Sequence, residues 1–230
     1  MNFGEIKTDV LGKLGGRSIP DLLTAIDSGI KNAIRQNICQ ERNYWFMRKD
    51  LTPFVTTAAL ATYLLPTDFK ELQELWWEDL VTEDWGDLPT ISENMYTEQY
   101  TNVEDSTPER VLLLPTQFKL GPAPDIAYNI NGVYWSFMDA LSANTDTNYL
   151  TESWPNLLIA FGVKAGLEYL EETQLAVVWE AKIYNPINGR PPGMMAQFNR
   201  AMTLRELSGD ITLAPRSGVK GREDIGRGYQ

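Results

Sequence analysis

Apolar residues recur at helical spacing from the start of the chain. Phe3, Ile6, Val10 and Leu14 fall on one face, as a period of about 3.6 residues requires. Asn2 and Glu5 stand three apart, the spacing of a capping box, and Gly15-Gly16 closes the helix. A longer helix is predicted to begin near Ser18, with Pro20 in its first turn and Asp21 three residues after the cap. Its apolar stripe is Leu23, Ile26, Ile30, Ile34 and Ile38, and Asp27, Lys31 and Arg35 occupy the other face. This helix is expected to end in the aromatic run Tyr44-Trp45-Phe46, placed as a lid where helix hands over to sheet.

From residue 51 to 77 the pattern changes to strand. Phe54-Val55-Thr56-Thr57 and Ala61-Thr62-Tyr63-Leu64, with a short link between them, read as a hairpin. Residues 72–77 add a third strand. Residues 78–107 have no clear period, apart from a short helix over 92–100. Sheet returns with Val111-Leu112-Leu113-Leu114 and Phe118-Lys119-Leu120, closed by Pro115 and Pro122. In the aromatic stretch 127–137, Asn131-Gly132 is either a two-residue hairpin turn or a kink in one longer strand.

Helix resumes after Thr151, with Ser153 as N-cap and Pro155 in the first turn. Leu157, Leu158, Phe161, Ala165, Leu167 and Leu170 cover most of its circumference, which marks a central helix. Gly162 and Gly166 form a small-xxx-small pair that lets a neighbouring helix approach closely. Leu175, Val178 and Ala181 continue in another helix, interrupted over 185–193. Met195, Phe198 and Met202 mark a last helix that stops near Gly209, and residues 209–230 read as a flexible arm that orders on a partner.

Helices at both ends and strands in the middle give an α+β fold. The expected organisation is a helical bundle from 1–50 and 138–208, a β-rich insertion over 51–137, and an extended C-terminal arm over 209–230. The chain of 230 residues carries a net charge of −11. Residues 71–110 alone hold twelve acids against one base, Arg110, so the rest balances. Such a segment repels nucleic acid, whose binding relies on Lys and Arg displacing counterions.

The common catalytic residues are scarce. With no histidine and a single cysteine, Cys39, the chain has no Ser-His-Asp or Cys-His pair and no zinc-type ligand set. Cys39 reads as a small buried hydrophobe. No phosphate-binding glycine loop is present, and no cofactor is assigned. Glu83, Asp84 and Asp87 beside Trp85 could imitate the acid pair of a carbohydrate-active enzyme, but acids this close in sequence more simply make a solvated loop. They lack the spacing of a calcium loop, so no metal site is assigned. Trp76 and Trp77 run into Glu78 and Asp79, which favours packing or a protein interface over base stacking. The start lacks a basic region followed by an apolar run, so no signal peptide is expected, and no apolar run is long enough to span a bilayer.

The order of short motifs carries a resemblance. The aromatic cluster Tyr44-Trp45-Phe46 is followed by Leu65-Pro66-x-Asp68-Phe69, then Phe118-Lys119-Leu120-Gly121-Pro122-Ala123-Pro124. Val133-Tyr134-Trp135, Ala140-Leu141-Ser142, Asp146-Thr147-Asn148-Tyr149-Leu150 and Trp154-Pro155-Asn156-Leu157-Leu158 complete the series. Over residues 3–207 this resembles the head-to-tail adaptors of tailed bacteriophages, and more distantly the tail tubular proteins. The interrupted stretch 185–193 departs from the longer helix expected there.

The resemblance implies a virion structural protein made in the bacterial cytoplasm and placed at the head–tail junction. It implies a ring of copies, typically twelve, that binds the portal above and a nozzle or tail-tube protein below. Double-stranded DNA would pass through without specific binding. It also favours a single strand through Gly132. The expected interface residues are Trp45, Phe46, Trp76 and Trp77, with Arg216, Lys220, Arg222 and Arg227 in the arm. Glu78, Asp79, Glu83, Asp84 and Asp87 are expected to face the lumen. A monomeric binding module is the alternative, and a carboxylate-dependent carbohydrate-active enzyme is a further one.

Overall fold

The computed structural model describes residues 1–184 and 192–207. Among these described residues, seven α-helices and two sheets make an α+β fold with two hydrophobic clusters.

The first cluster is helical. Helix α1 (Phe3–Lys13) starts at the Asn2 capping box, in which Glu5 N donates to Asn2 Oδ1 and Asn2 N to Glu5 Oε2, both at 2.9 Å. Gly15 and Gly16, with φ of 79° and 66°, turn the chain where a side chain would be strained. Helix α2 (Leu22–Asn32) begins later than the sequence predicts. Its N-cap is Asp21 in the left-handed region, with no side-chain cap bond. Leu22 therefore replaces Leu23 on the buried face, and Leu23 is 51% exposed. The helix continues as a π-helical run, Ala33–Cys39, and ends there rather than at the aromatic run. The wider π turn lets adjacent pairs, Ala33 with Ile34 and Ile38 with Cys39, all be buried. Residues Trp45–Met47 form a separate 3-10 turn.

Helix α5 (Pro155–Tyr169) is the centre of this cluster, with nine buried residues. Its start also differs from the prediction. Asn148, with Thr151, makes the capping box of the short helix α4 (Tyr149–Ser153), and Trp154 then separates α4 from α5. Ser153 ends a helix instead of capping one. Gly162 and Gly166 do admit neighbours, since a Cβ on Gly162 would lie 2.7 Å from Val10 and one on Gly166 2.5 Å from Leu14. Helix α6 (Thr173–Tyr184) buries Ala176 and Ile183, while Leu175 and Val178 face outwards, contrary to the predicted stripe. Helix α7 (Met194–Leu207) buries Met195, Phe198 and Met202 as expected. Of the predicted interruption over 185–193, residues 185–191 lie outside the described residues and 192–193 are not helical, and the arm over 209–230 lies wholly outside them. Helix α3 (Glu93–Tyr100) stands apart, with Tyr96 buried and its hydroxyl donating to Leu120 O at 2.8 Å.

The second cluster lies between the sheets. One sheet holds β1 (Arg48–Asp50), β2 (Phe54–Val55), β4 (Phe69–Asp79), β5 (Trp85–Asp87) and β9 (Tyr128–Ser136). The other holds β3 (Thr62–Leu64), β6 (Thr90–Ile91), β7 (Arg110–Leu113) and β8 (Gln117–Gly121). The predicted hairpin of residues 54–57 and 61–64 does not form. Strand β2 pairs with β9 and β3 with β8, so the link between them crosses from one sheet to the other. Leu75 and Ile130 of the first sheet meet Val111, Phe118 and Leu120 of the second.

The open question at Asn131-Gly132 is settled in favour of one continuous strand, β9, paired along β4. Gly132 faces Leu75 so closely that a Cβ there would lie 2.8 Å from Leu75 Cδ1 and 2.9 Å from Glu74 O.

Candidate interaction surfaces

Two surfaces stand out, at opposite ends of β4. The first is a ladder of rings where helix hands over to sheet. The guanidinium of Arg42 lies 5.7 Å from the Tyr44 ring centroid. Tyr44 stacks on Phe46 at 5.4 Å, Phe46 on Tyr149 at 4.4 Å, and Tyr149 meets Trp45 edge-on at 5.2 Å. Arg205 of α7 closes the series, 4.9 Å from the Trp45 ring and donating to Tyr149 Oη at 3.2 Å. The faces of aromatic rings attract cations, so each guanidinium holds its ring.

Neighbouring elements fix the ladder. Tyr44 is buried and packs edge-on against Phe198 at 5.1 Å, and its hydroxyl donates to Asn199 Oδ1 at 2.7 Å. Burial pushes the Tyr44 phenol up to about 12. Arg42 also pairs with Glu206 and donates to Thr203 at 2.9 Å. Lys70 Nζ donates to Cys39 O at 2.5 Å and to Asn43 Oδ1 at 2.6 Å, tying β4 to the carbonyl end of the π turn. Burial lowers the pKa of this ammonium. Trp45, Phe46 and Tyr149 remain half-buried, and Trp45 Nε1 is buried without an acceptor.

The second surface is the tip of the β4–β5 hairpin. Glu78 and Asp79 end β4, Glu83 and Asp84 lie in the turn, and Asp87 ends β5. All five expected lumen acids are therefore gathered on one hairpin. Asp79 builds the turn, accepting from Val81 N at 2.7 Å and Thr82 N at 3.2 Å. These backbone donors hold its carboxyl below the ordinary range. Among the acids, Leu80, Val81 and Trp85 are 55%, 86% and 54% exposed.

The four tryptophans and phenylalanines expected at an interface thus divide. Trp45 and Phe46 belong to the ladder, whereas Trp76 and Trp77 lie far along β4. Trp77 pairs with Gly86, covers it so closely that a Cβ there would lie 2.8 Å from the ring, and meets Tyr128 edge-on at 5.2 Å. Trp77 is a sheet-packing residue, and Trp76 sits beside it opposite Asp87. Arg216, Lys220, Arg222 and Arg227 lie outside the described residues.

Tyr149, Arg42, Arg205 and the apolar tip also belong to these two surfaces, beyond the residues the sequence singles out. The ladder residues are scattered in sequence and carry no local signal. The tip did carry one: three large apolar residues inside an acidic run.

Glu83, Asp84 and Asp87 share an exposed hairpin and do not converge across a cleft. Among the described residues, no group of three or more His, Cys, Asp or Glu is arranged to hold a metal ion. Nor is any described helix long and apolar enough to cross a membrane.

A family model described as the SU10 adaptor protein matches residues 1–216. The chain belongs to that family. The SU10 adaptors are bacteriophage head–tail adaptors, structural proteins of the virion rather than enzymes. No curated protein matches the chain. Family membership places this adaptor among proteins that interact with portal and tail proteins in general.

Proposed function

We propose that this adaptor assembles as a homo-oligomeric ring, with twelve copies, beneath the portal vertex. The ring joins the portal to a nozzle or tail-tube protein and surrounds the channel through which DNA leaves the head. The observation that carries this reading is a family match across nearly the whole chain. The charge is compatible with it, because a protein of net charge −11 offers phosphate few partners and lets DNA pass without binding.

In this reading the chain is synthesised in the host cytoplasm and stays soluble until a portal template orders the ring. Arg216, Lys220, Arg222 and Arg227 would contact the portal or a neighbouring copy. Glu78, Asp79, Glu83, Asp84 and Asp87 have two positions open to them. Pointed inwards, the hairpin gives the channel a repulsive wall. The exposed apolar side chains beside these acids favour the second position, against protein.

Negative-stain electron microscopy of the purified chain with the portal of its source phage tests the proposal. A second ring capping the portal is the expected result. Bare portals at high protein excess would overturn it in favour of a monomeric binding module.

A further inference from the structure

The two surfaces at the ends of β4 are complementary to each other. The hairpin tip is apolar and acidic: Leu80, Val81 and Trp85 stand exposed in a stretch, residues 71–109, that has twelve acids and no base. The ladder is aromatic and lies in the most basic part of the described chain. Residues 35–49 hold Arg35, Arg42, Arg48 and Lys49 against Glu41, and α7 adds Arg205 beside Glu206. Arg42 is paired with Glu206 and Lys49 with Asp68 and Asp139, so Arg205, set over the Trp45 ring, is the cation on which the charge match chiefly rests.

We infer that the β4–β5 hairpin tip of one copy seats on the aromatic ladder of the next copy. The inference rests on the ring reading and supplies its subunit contact. Leu80, Val81 and Trp85 would cover the half-buried rings of Trp45, Phe46 and Tyr149, with Glu83 and Asp84 set against Arg205, while Arg42 keeps its pair with Glu206.

Three arguments select a second copy as the occupant. The tip cannot reach its own ladder. Strand β4 starts beside it, where Lys70 and Glu71 contact Asn43, and its eleven residues carry the tip about 35 Å away. Two tips cannot pair either, since like charges placed face to face repel. Finally, three large apolar side chains gain nothing from facing a DNA backbone, whereas desolvated aromatic contacts with a charged rim are what protein interfaces use. A contact between two different faces of one chain is head-to-tail, and it closes into a ring when the rotation allows.

The test uses the full chain with the portal of its source phage as template. Val81→Cys and Arg205→Cys are introduced together; Cys39 is buried and does not compete. Mild oxidation of the assembled sample is expected to give a series of covalent multimers on a non-reducing gel, and neither single variant should do so. Val81 is exposed, so Val81→Cys should melt with the wild type. Arg205→Cys gives up its contacts with Trp45 and Tyr149 and should melt lower. Cross-links from the double variant support the contact whether or not that shift is seen.

A second variant does not depend on thiol geometry. Glu83→Lys with Asp84→Lys should raise the concentration needed for assembly by about tenfold or more. Adding Arg205→Glu to the same chain should recover most of that loss. Wild-type rings with no cross-links and no response to charge reversal would overturn this contact and leave the ring reading intact. A wild-type chain that forms no ring on the portal would overturn both.

Discussion

Lys49 Nζ donates to Asp68 Oδ2 at 2.8 Å, joining the first strand after the helices to the turn that opens β4. Tyr134 Oη donates to the other carboxylate oxygen at 2.9 Å, and the Asp68 carbonyl accepts from Phe137 N at 2.7 Å. Asp139 adds a second carboxylate to Lys49 at 3.0 Å. The aspartate of the Leu-Pro-x-Asp-Phe segment is thus a clasp between β1, β4 and β9.

The clasp sets an acid response. Burial pushes the Asp68 carboxyl up, but the Lys49 and Tyr134 hydrogen bonds outweigh it and hold the carboxyl below its ordinary value of 3.8. A lowered folded value contributes stability that is complete above 3.8 and is lost as pH falls through the folded value. Asp68→Asn should cost about 1 kcal/mol at neutral pH, the scale of one partly exposed charged hydrogen bond. Urea denaturation of both proteins from pH 7 downwards checks this. The two stability curves should converge in acid, and parallel curves would refute the clasp.

Among the described residues, Tyr44 and Tyr134 carry the largest upward shifts of the phenols and contribute to the alkaline limb. Burial raises Tyr44 to about 12, and burial with the Asp68 carboxylate raises Tyr134 to about 12. A raised folded value means stability complete below the ordinary value of 10.0 and lost as pH climbs through about 12. In an ultraviolet titration Tyr44 and Tyr134 should ionise late, together with unfolding. Tyr44→Phe and Tyr134→Phe should each remove one late phenolate from the titration.

Gly29 of α2 lies against Ala165 of α5 so closely that a Cβ on Gly29 would overlap the Ala165 methyl. Gly29→Ala should therefore destabilise the bundle by about 1–3 kcal/mol, despite the better helix propensity of alanine. The compensating change Ala165→Gly in the same chain should restore part of the loss. Thermal melts of the single and double variants measure it, and a Gly29→Ala protein as stable as wild type would be inconsistent with this packing.

Gly132 tests the continuity of β9. Its close neighbours include the backbone oxygen of Glu74, which cannot swing aside as a side chain can. Gly132→Ala should cost about 1–3 kcal/mol by forcing β4 and β9 apart. Amide hydrogen exchange should localise the loss to those two strands. Faster exchange in the helices alone would contradict it.

The sequence by itself determined the features that depend on neighbours in the chain. The Asn2 capping box, the glycines after α1, the buried side of α7 and the small residues of α5 all read correctly, because period and cap chemistry act within a few residues. Local rules misplaced the start of α2 and the cap before α5, where the backbone at Asp21 and Trp154 takes conformations that tertiary packing selects.

Only the tertiary structure decided the strand partners and the surfaces. The backbone of Tyr63 pairs with Phe118 rather than with β2, and only its ring meets Phe54, at 5.0 Å across the two sheets, because burying both sheet faces outweighs the convenience of a short link. The ladder unites Trp45 with Tyr149 and Arg205, and the hairpin brings five acids together around an apolar tip. Contacts between residues far apart in sequence leave no periodic trace along the chain; they exist only once the core has fixed where each element lies.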